Sequence, residues 1–405
     1  MSLTESTFIL PKEAQLTTKQ QQTRQQILKF ASQQLHAKTT AVFVLSGDAG
    51  SGKSVVLSAV FNELQKKSQS RGSVFYQTDN HLLVNHNEML KIYWEIAGQT
   101  NYLKKKSFEK PTPFINRMNK RHQLADIVFV DEAQLLLSQA DPFNHFKAAN
   151  QLDEIMKLTH VLVIVADFNQ VVKLKSYWSK SLLQQHLAGH PVATADLDQQ
   201  LRIQDEKLAD WINSLIVGKL EPLPAATDYE LRIFADGQPL FDWVKAHDQI
   251  SGLSRILATT DFPFRVFSRE PWYVTAGSLK LPWDRFNYQD RPWASQPETI
   301  NEVGSIYTIQ GFDLNYAGVV LGPSVTYESK TDQVVFHPEK FEDQTALQKR
   351  HQADLPNERA AQIKLLKNVV NILLKRGRYG LGIYAVDPAL RQKLLLLAQK
   401  SAGRE

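Results

Sequence analysis

Gly47-Asp48-Ala49-Gly50-Ser51-Gly52-Lys53-Ser54 is the stretch on which the fold reading turns. It satisfies G-x-x-x-x-G-K-[ST] and stands between an apolar run, 41–45, and a helical pattern over 55–67. The glycines let backbone N–H groups turn inward around phosphate oxygens, and the helix N-terminus adds positive dipole character. In such a loop Lys53 reaches the β- and γ-phosphates of a nucleotide, and the Ser54 hydroxyl coordinates Mg²⁺. The plainer reading is a glycine-rich turn that ends a strand.

Working outward, short apolar runs recur at 74–76, 127–130 and 161–165, separated by helical patterns such as 82–96. Continuous apolar runs without alternation suit strands buried on both faces of a parallel sheet. A helix is expected over the glutamine-rich 20–34, with Thr18 and Gln21 as a capping box and Ile27, Phe30, Ala31 and Leu35 on one face. Strand patterns return at 255–258, 272–275, 317–321 and 382–386, with an amphipathic helix over 360–374. The polar stretch 324–356 reads as a surface insertion. The class is α/β, with a first domain over 1–195 and a second over 196–405.

Two further strand ends carry chemistry. The run Asp126-Ile-Val-Phe-Val-Asp131-Glu132-Ala133-Gln134 delivers adjacent carboxylates where open α/β sheets bind ligands. Asp131 is placed to hold Mg²⁺ through water, and Glu132 to orient and deprotonate an attacking water. The run ending Ala166-Asp167-Phe168-Asn169-Gln170 offers Gln170 to the γ-phosphate or that water. Alone, each is a strand followed by a polar turn.

Composition narrows the classes. The 405 residues are 43% hydrophobic and 22% charged, which is ordinary globular usage and excludes a disordered or collagen-like chain. With no cysteine, disulfides, thiolate zinc sites and cysteine nucleophiles are excluded. No apolar run approaches a membrane span, and the opening residues lack a secretory pattern, so a cytoplasmic location is expected. Lys+Arg 47 against Asp+Glu 42 gives +5, compatible with a polyanionic partner without deciding for one.

Taken together, the phosphate loop, DEAQ and the ADFNQ strand end resemble the first RecA-like domain of superfamily 1 helicases. In the second half, Leu197-Asp-Gln-Gln-Leu-Arg202, Gly304-Ser305-Ile-Tyr307-Thr-Ile-Gln310-Gly311-Phe-Asp313 and Asn368-Val-Val-Asn-Ile-Leu-Leu-Lys375-Arg376-Gly377-Arg378 extend the likeness. More specifically, with Leu281-Pro-Trp283, Trp293-Ala294 and Lys367-Asn368, the chain resembles the bacterial family with a Schlafen group 3-like DNA/RNA helicase domain, over about 16–390. The resemblance implies two RecA-like P-loop NTPase domains, each a mainly parallel sheet flanked by helices. ATP and Mg²⁺ would be used between them, with single-stranded DNA or RNA as partner.

It also implies residue roles. Gln20, in Leu16-Thr-Thr-Lys-Gln20, matches the glutamine that reads adenine, or is a surface glutamine of its helix. Arg202 and Arg376 match arginines that stabilise the transferring phosphoryl group, Arg378 being an alternative to Arg376. Gln310, Gly311 and Asp313 match the block that couples nucleotide to strand, with Asp313 near the ribose. Two positions depart from the family pattern: Lys375 replaces a threonine and Tyr307 a histidine.

For the nucleic acid, Asn80 and His81 in Thr78-Asp79-Asn80-His81 resemble a backbone-contacting motif. Tyr177-Trp178 among Lys173, Lys175 and Lys180 suits base stacking or, equally, an aromatic pair in an interface. Basic clusters at 104–106 and at Arg117, Lys120 and Arg121 are phosphate contacts or solvated faces, and Trp243, Trp283 and Trp293 read as core. The activity expected is that of an ATP-hydrolysing helicase or translocase. The reading from another class is a binding module switched by ATP with little turnover.

Overall fold

The computed structural model describes residues 16–47, 50–142, 145–176, 178–197, 206–224, 229–264, 271–283, 291–309, 311–348 and 357–402. These fall into two compact units, one holding the described residues up to Leu197 and the other those from Glu206 onward.

In the first unit the elements run α1 (Thr18–Gln34), β1 (Ala41–Gly47), α2 (Lys53–Lys67), β2 (Asn80–Val84), α3 (Asn87–Gly98), β3 (Phe108–Glu109) and α4 (Pro111–Arg121). They continue with β4 (Ala125–Asp131), α5 (Gln151–Met156), β5 (Thr159–Ala166), α6 (Lys180–His186) and β6 (Val192–Leu197). The sheet is ordered β3-β2-β4-β5-β1-β6, every pairing parallel. Its centre follows from the apolar runs. Ile127, Val128, Phe129 and Val130 are fully buried, as are Val161, Leu162 and Val163. Each such side chain contributes roughly 1.5–3 kcal/mol by leaving water. Ser46 lies opposite Ala166 and Val130 opposite Ile164, so β1, β5 and β4 finish at one edge.

Some expectations shift. The capping box of α1 is Thr17 with Gln20, one residue earlier than expected. Residues 74–76 form a turn with Val74 and Tyr76 exposed, and the strand is β2, six residues later. Three apolar residues were too short a run to locate it. β6 is a strand without an apolar run because it lies at the sheet edge, exposed on alternate residues.

The second unit contains α7 (Glu206–Val217), β7 (Glu230–Ile233), α8 (Gly237–Ser251), β8 (Ser254–Ala258), β9 (Tyr273–Ala276), β10 (Leu279–Pro282), β11 (Val303–Gly304) and α9 (Ile306–Ile309). It ends with β12 (Leu314–Leu321), β13 (Val325–Glu328), β14 (Gln333–Phe336), α10 (Glu358–Leu374), β15 (Gly377–Ala385) and α11 (Pro388–Ala402). Five strands form a second parallel sheet, β11-β8-β12-β15-β7, while β9–β10 and β13–β14 are separate antiparallel hairpins. Helix α8 covers the sheet, with Leu240 and Val244 fully buried alongside Ile256 and Val320. Trp243, Trp283 and Trp293 are core residues, as read from the sequence. The stretch from 324 is more than a surface insertion. Val325, Val334, Phe336, Phe341 and Leu347 are buried in it.

The first residue of that stretch is tied to the end of β8 by Asp261. The Asp261 Oδ2 accepts hydrogen bonds from Thr259 Oγ1 (2.6 Å), Ser324 N (3.1 Å) and Ser324 Oγ (2.7 Å). Burial pushes this carboxyl up to about 6, against the hydrogen bonds from Thr259 and Ser324. Between its ordinary value and 6 the unfolded chain ionises this group while the folded chain keeps the proton. Stability therefore falls as pH rises through that window, by about 3 kcal/mol in all. Asp261→Asn, which keeps an acceptor for Ser324 but carries no charge, should be more stable than wild type at pH 7 and gain nothing at pH 4. Urea denaturation at both pH values checks this, and an equal difference at both would show that Asp261 is not the group responsible. Among the described residues no helix is long and apolar enough to cross a membrane.

Candidate nucleotide site

The 47–54 loop joins β1 to α2. A Cβ on Gly47 would stand 2.3 Å from the Leu197 carbonyl oxygen, so the end of β6 admits only glycine there. Gly52, the residue before α2, has φ 83° and ψ 22°, a left-handed turn that glycine adopts without strain. The first amides of a 15-residue helix thus begin at Lys53. The buried Lys53 Nζ donates to the Gly47 carbonyl at 2.7 Å and lies 3.6 Å from Asp167 Oδ2.

Two strands away, β4 ends at Asp131, and Glu132 takes φ 50°, ψ 49°. A glutamate in that region is uncommon and costs energy, which marks the turn as one imposed by its surroundings. The turn brings the Glu132 amide to Asp131 Oδ1 (3.0 Å), while the Tyr93 hydroxyl of α3 donates to Oδ2 (2.6 Å). Ser54, at the start of α2, lies beside the Asp131 side chain. Burial raises the Asp131 pKa, opposed by the Tyr93 and Glu132 hydrogen bonds and the charge of Lys53. Burial likewise raises that of Tyr93 far above its ordinary value, with the Asp131 charge adding to it.

A relay joins the three strand ends. Gln134 is fully buried; its amide N–H donates to Glu132 Oε2 and its carbonyl accepts from Asp167 N at 3.0 Å. Asp167 Oδ2 accepts from Gln170 Nε2 at 2.8 Å and faces Lys53. The first unit therefore gathers Lys53, Ser54, Asp131, Glu132 and Gln170 in one place. Sequence reasoning assigned no role to Tyr93, Gln134 or Asp167. Gln134 and Asp167 were visible as neighbours of assigned residues; nothing in the sequence marked Tyr93.

The residues fit a nucleoside triphosphate with its Mg²⁺. Ser51 Oγ and Gln170 Oε1 are buried without a hydrogen-bond partner among the described residues, and buried polar atoms rarely stay unsatisfied. Ser54 and Asp131 supply adjoining hard oxygen donors.

The model of the Schlafen group 3 DNA/RNA helicase domain matches residues 40–387. The chain belongs to that family. An uncharacterized protein of Saccharomyces cerevisiae is 37% identical over 418 residues, spanning 95% of this chain and 91% of its own length. Among solved structures, S. cerevisiae Dbp5 bound to RNA and ADP BeF3 aligns at 12% identity and a TM-score of 0.33, covering 96% of this chain and 81% of that one. The Sulfolobus solfataricus SWI2/SNF2 ATPase core in complex with dsDNA aligns at 9% identity and a TM-score of 0.32, covering 94% and 90%.

In this Schlafen group 3 helicase-domain protein the remaining site expectations divide. Asp48, Ala49, Tyr177, Arg202 and Gln310 lie outside the described residues. Gln20 Oε1 accepts from Thr17 N at 3.0 Å, closing the α1 cap. In the second unit Arg376 is buried, with Nη1 3.3 Å from the Phe312 carbonyl and 3.9 Å from Asp313 Oδ1. Arg378 is exposed beside the Tyr379 ring. Gly311 has φ 81°, in the same segment.

Of the residues expected to contact nucleic acid, Asn80, His81 and Trp178 are buried in the first unit. Asn80 and His81 are buried at the amino end of β2, whereas the phosphate loop follows the carboxyl end of β1. The buried His81 sits between the exposed Asp79 (3.1 Å) and the half-buried Glu109 (3.4 Å). The expectation put a strand at 74–76, before this motif, whereas β2 begins at Asn80. Trp178 is 3% exposed, packs in the first unit's core and donates its indole N–H to the Leu136 carbonyl at 2.8 Å. Neither face is open to a base. Trp178→Ala should cost about 3–5 kcal/mol of stability and leave single-strand affinity of the folded protein unchanged. Chemical denaturation and a binding titration check it; weaker binding at full stability would favour base stacking by Trp178.

Proposed function

We propose that the chain is an ATP- and Mg²⁺-dependent nucleic-acid motor, a superfamily 1 helicase or translocase acting on single-stranded DNA or RNA. The observation that carries this is the relay from Lys53 through Asp167 and Gln134 to Glu132, which ties the phosphate loop to the residue suited to act as base. A loop that only bound phosphate would have no need of it. Membership of a helicase-domain family favours nucleic acid as the partner.

In this reading Lys53 and the loop amides bind the β- and γ-phosphates. Glu132 accepts a proton from the attacking water, and Gln170 orients that water. Ser54 and Asp131 would hold Mg²⁺, which would supply positive charge against the phosphate oxygens. Arg202 and Arg376 stabilise the charge that develops on the transferring group, and Gln310, Gly311 and Asp313 belong with the nucleotide. Gln20 reads the adenine through the part of its amide left by the cap. RecA-like domains over 1–195 and 196–405 and a cytoplasmic location complete the proposal.

The deciding measurement is ATP turnover by the full chain with and without single-stranded DNA and RNA. Turnover that rises with one of them supports the motor. Tight ATP binding with negligible turnover under every condition would favour the ATP-switched binding module instead.

A further inference from the structure

We propose that Tyr93 is a positioning residue for the divalent cation, acting through Asp131; the inference rests on the nucleotide reading above. Asp131 is fully buried, and its two oxygens are held from different sides. Oδ1 takes the Glu132 amide at 3.0 Å, from the next residue of its own chain. Oδ2 takes the Tyr93 hydroxyl at 2.6 Å, from α3. One donor on each oxygen fixes the rotation of the carboxylate plane. Each oxygen keeps a further lone pair, and Ser54, at the start of α2, is already in contact with the same carboxylate.

The Tyr93 ring is itself immobile. It is buried and stacks on Phe108 with centroids 5.5 Å apart and planes 11° from parallel. Its hydroxyl is therefore a fixed point, and Asp131 is oriented before a cation arrives. A carboxylate free to rotate would lose that freedom on binding the ion. Outer-shell partners of this kind are worth about 10–100-fold in metal affinity.

The test uses the full chain and a fluorescent ATP analogue titrated with Mg²⁺, reading nucleotide affinity in EDTA and the Mg²⁺ concentration that gives half the metal-dependent gain. Tyr93→Phe keeps the ring on Phe108 and removes only the hydroxyl. It should leave affinity in EDTA near wild type, lower the melting temperature modestly through the lost buried hydrogen bond, and raise the Mg²⁺ half-point about 10–100-fold. Tyr93→Met, which fills the space without ring or hydroxyl, should move the half-point in the same direction. In an Asp131→Asn background, Tyr93→Phe should add nothing further.

An unchanged half-point in Tyr93→Phe overturns the proposal while leaving the nucleotide reading intact. So does an equal loss of affinity with and without Mg²⁺, which would mark Tyr93 as a packing residue. Absence of nucleotide binding by the wild-type chain overturns both readings.

Discussion

Glu132→Gln should bind ATP with near-wild-type affinity and hydrolyse it about 10²–10⁴-fold more slowly, the usual contribution of a positioned general base. The substitution keeps the length and shape of the side chain but removes the group that accepts a proton. It also turns the Gln134 contact from amide-to-carboxylate into amide-to-amide, which Gln134 can still make with its N–H donating. The backbone turn at 132 is therefore expected to survive, so the loss would be chemical. Lys53→Ala is the contrasting case. It deletes the ammonium that spans the Gly47 carbonyl and Asp167, and nucleotide affinity should fall along with turnover. Binding and steady-state assays on both variants separate the two roles. A wild-type rate in Glu132→Gln would transfer the role of base to another group.

The site was legible where chemistry is local in sequence. The eight residues 47–54 contain both Gly47, which the close approach of Leu197 requires, and the lysine and serine proposed to meet phosphate and metal. The strand ends at Asp131 and Ala166 followed from β-branched runs long enough to announce buried strands. What stayed hidden was the part built by tertiary packing. Tyr93 reaches Asp131 across 38 residues, and Gln134 reaches Asp167 across 33. No spacing rule connects either pair. The same limit explains β2 and Trp178. Exposed Val74 and Tyr76 imitated a strand, while the true strand, Asn80–Val84, opens with two polar residues buried by charge pairing and hydrogen bonding. An aromatic pair among lysines looks like a stacking platform, yet the indole was needed under Leu136 and Leu183 to close a core. Composition describes what a side chain can do, and burial selects among those options.

Arg376→Ala should lower ATP turnover about 10³–10⁵-fold while nucleotide binding is retained, the range for an arginine that stabilises charge on a transferring phosphoryl group. The sequence left Arg376 and Arg378 as alternatives, and their settings differ. Arg378 is exposed beside Tyr379, and a solvated guanidinium of that kind is loosely held. Arg376 is 1% exposed and is gripped at the start of β15 by the Phe312 carbonyl and Asp313, two residues of the segment matched to the nucleotide-coupling block. A preorganised cation stabilises a developing charge without reorganising at the moment of reaction, whereas a mobile one must first be ordered. Arg378→Ala is accordingly expected to change turnover by less than about tenfold, far below the range given for Arg376. Removing a buried arginine also leaves Asp313 short of a partner, so stability must be followed beside activity. Arg376→Lys provides that control, since it restores a positive charge near Asp313 but cannot reproduce the planar fork of donors. If the role is electrostatic and geometric, the lysine variant should recover stability and remain slow. If Arg376→Lys recovers both stability and rate, or if Arg378→Ala proves the slower variant, the assignment of Arg376 fails.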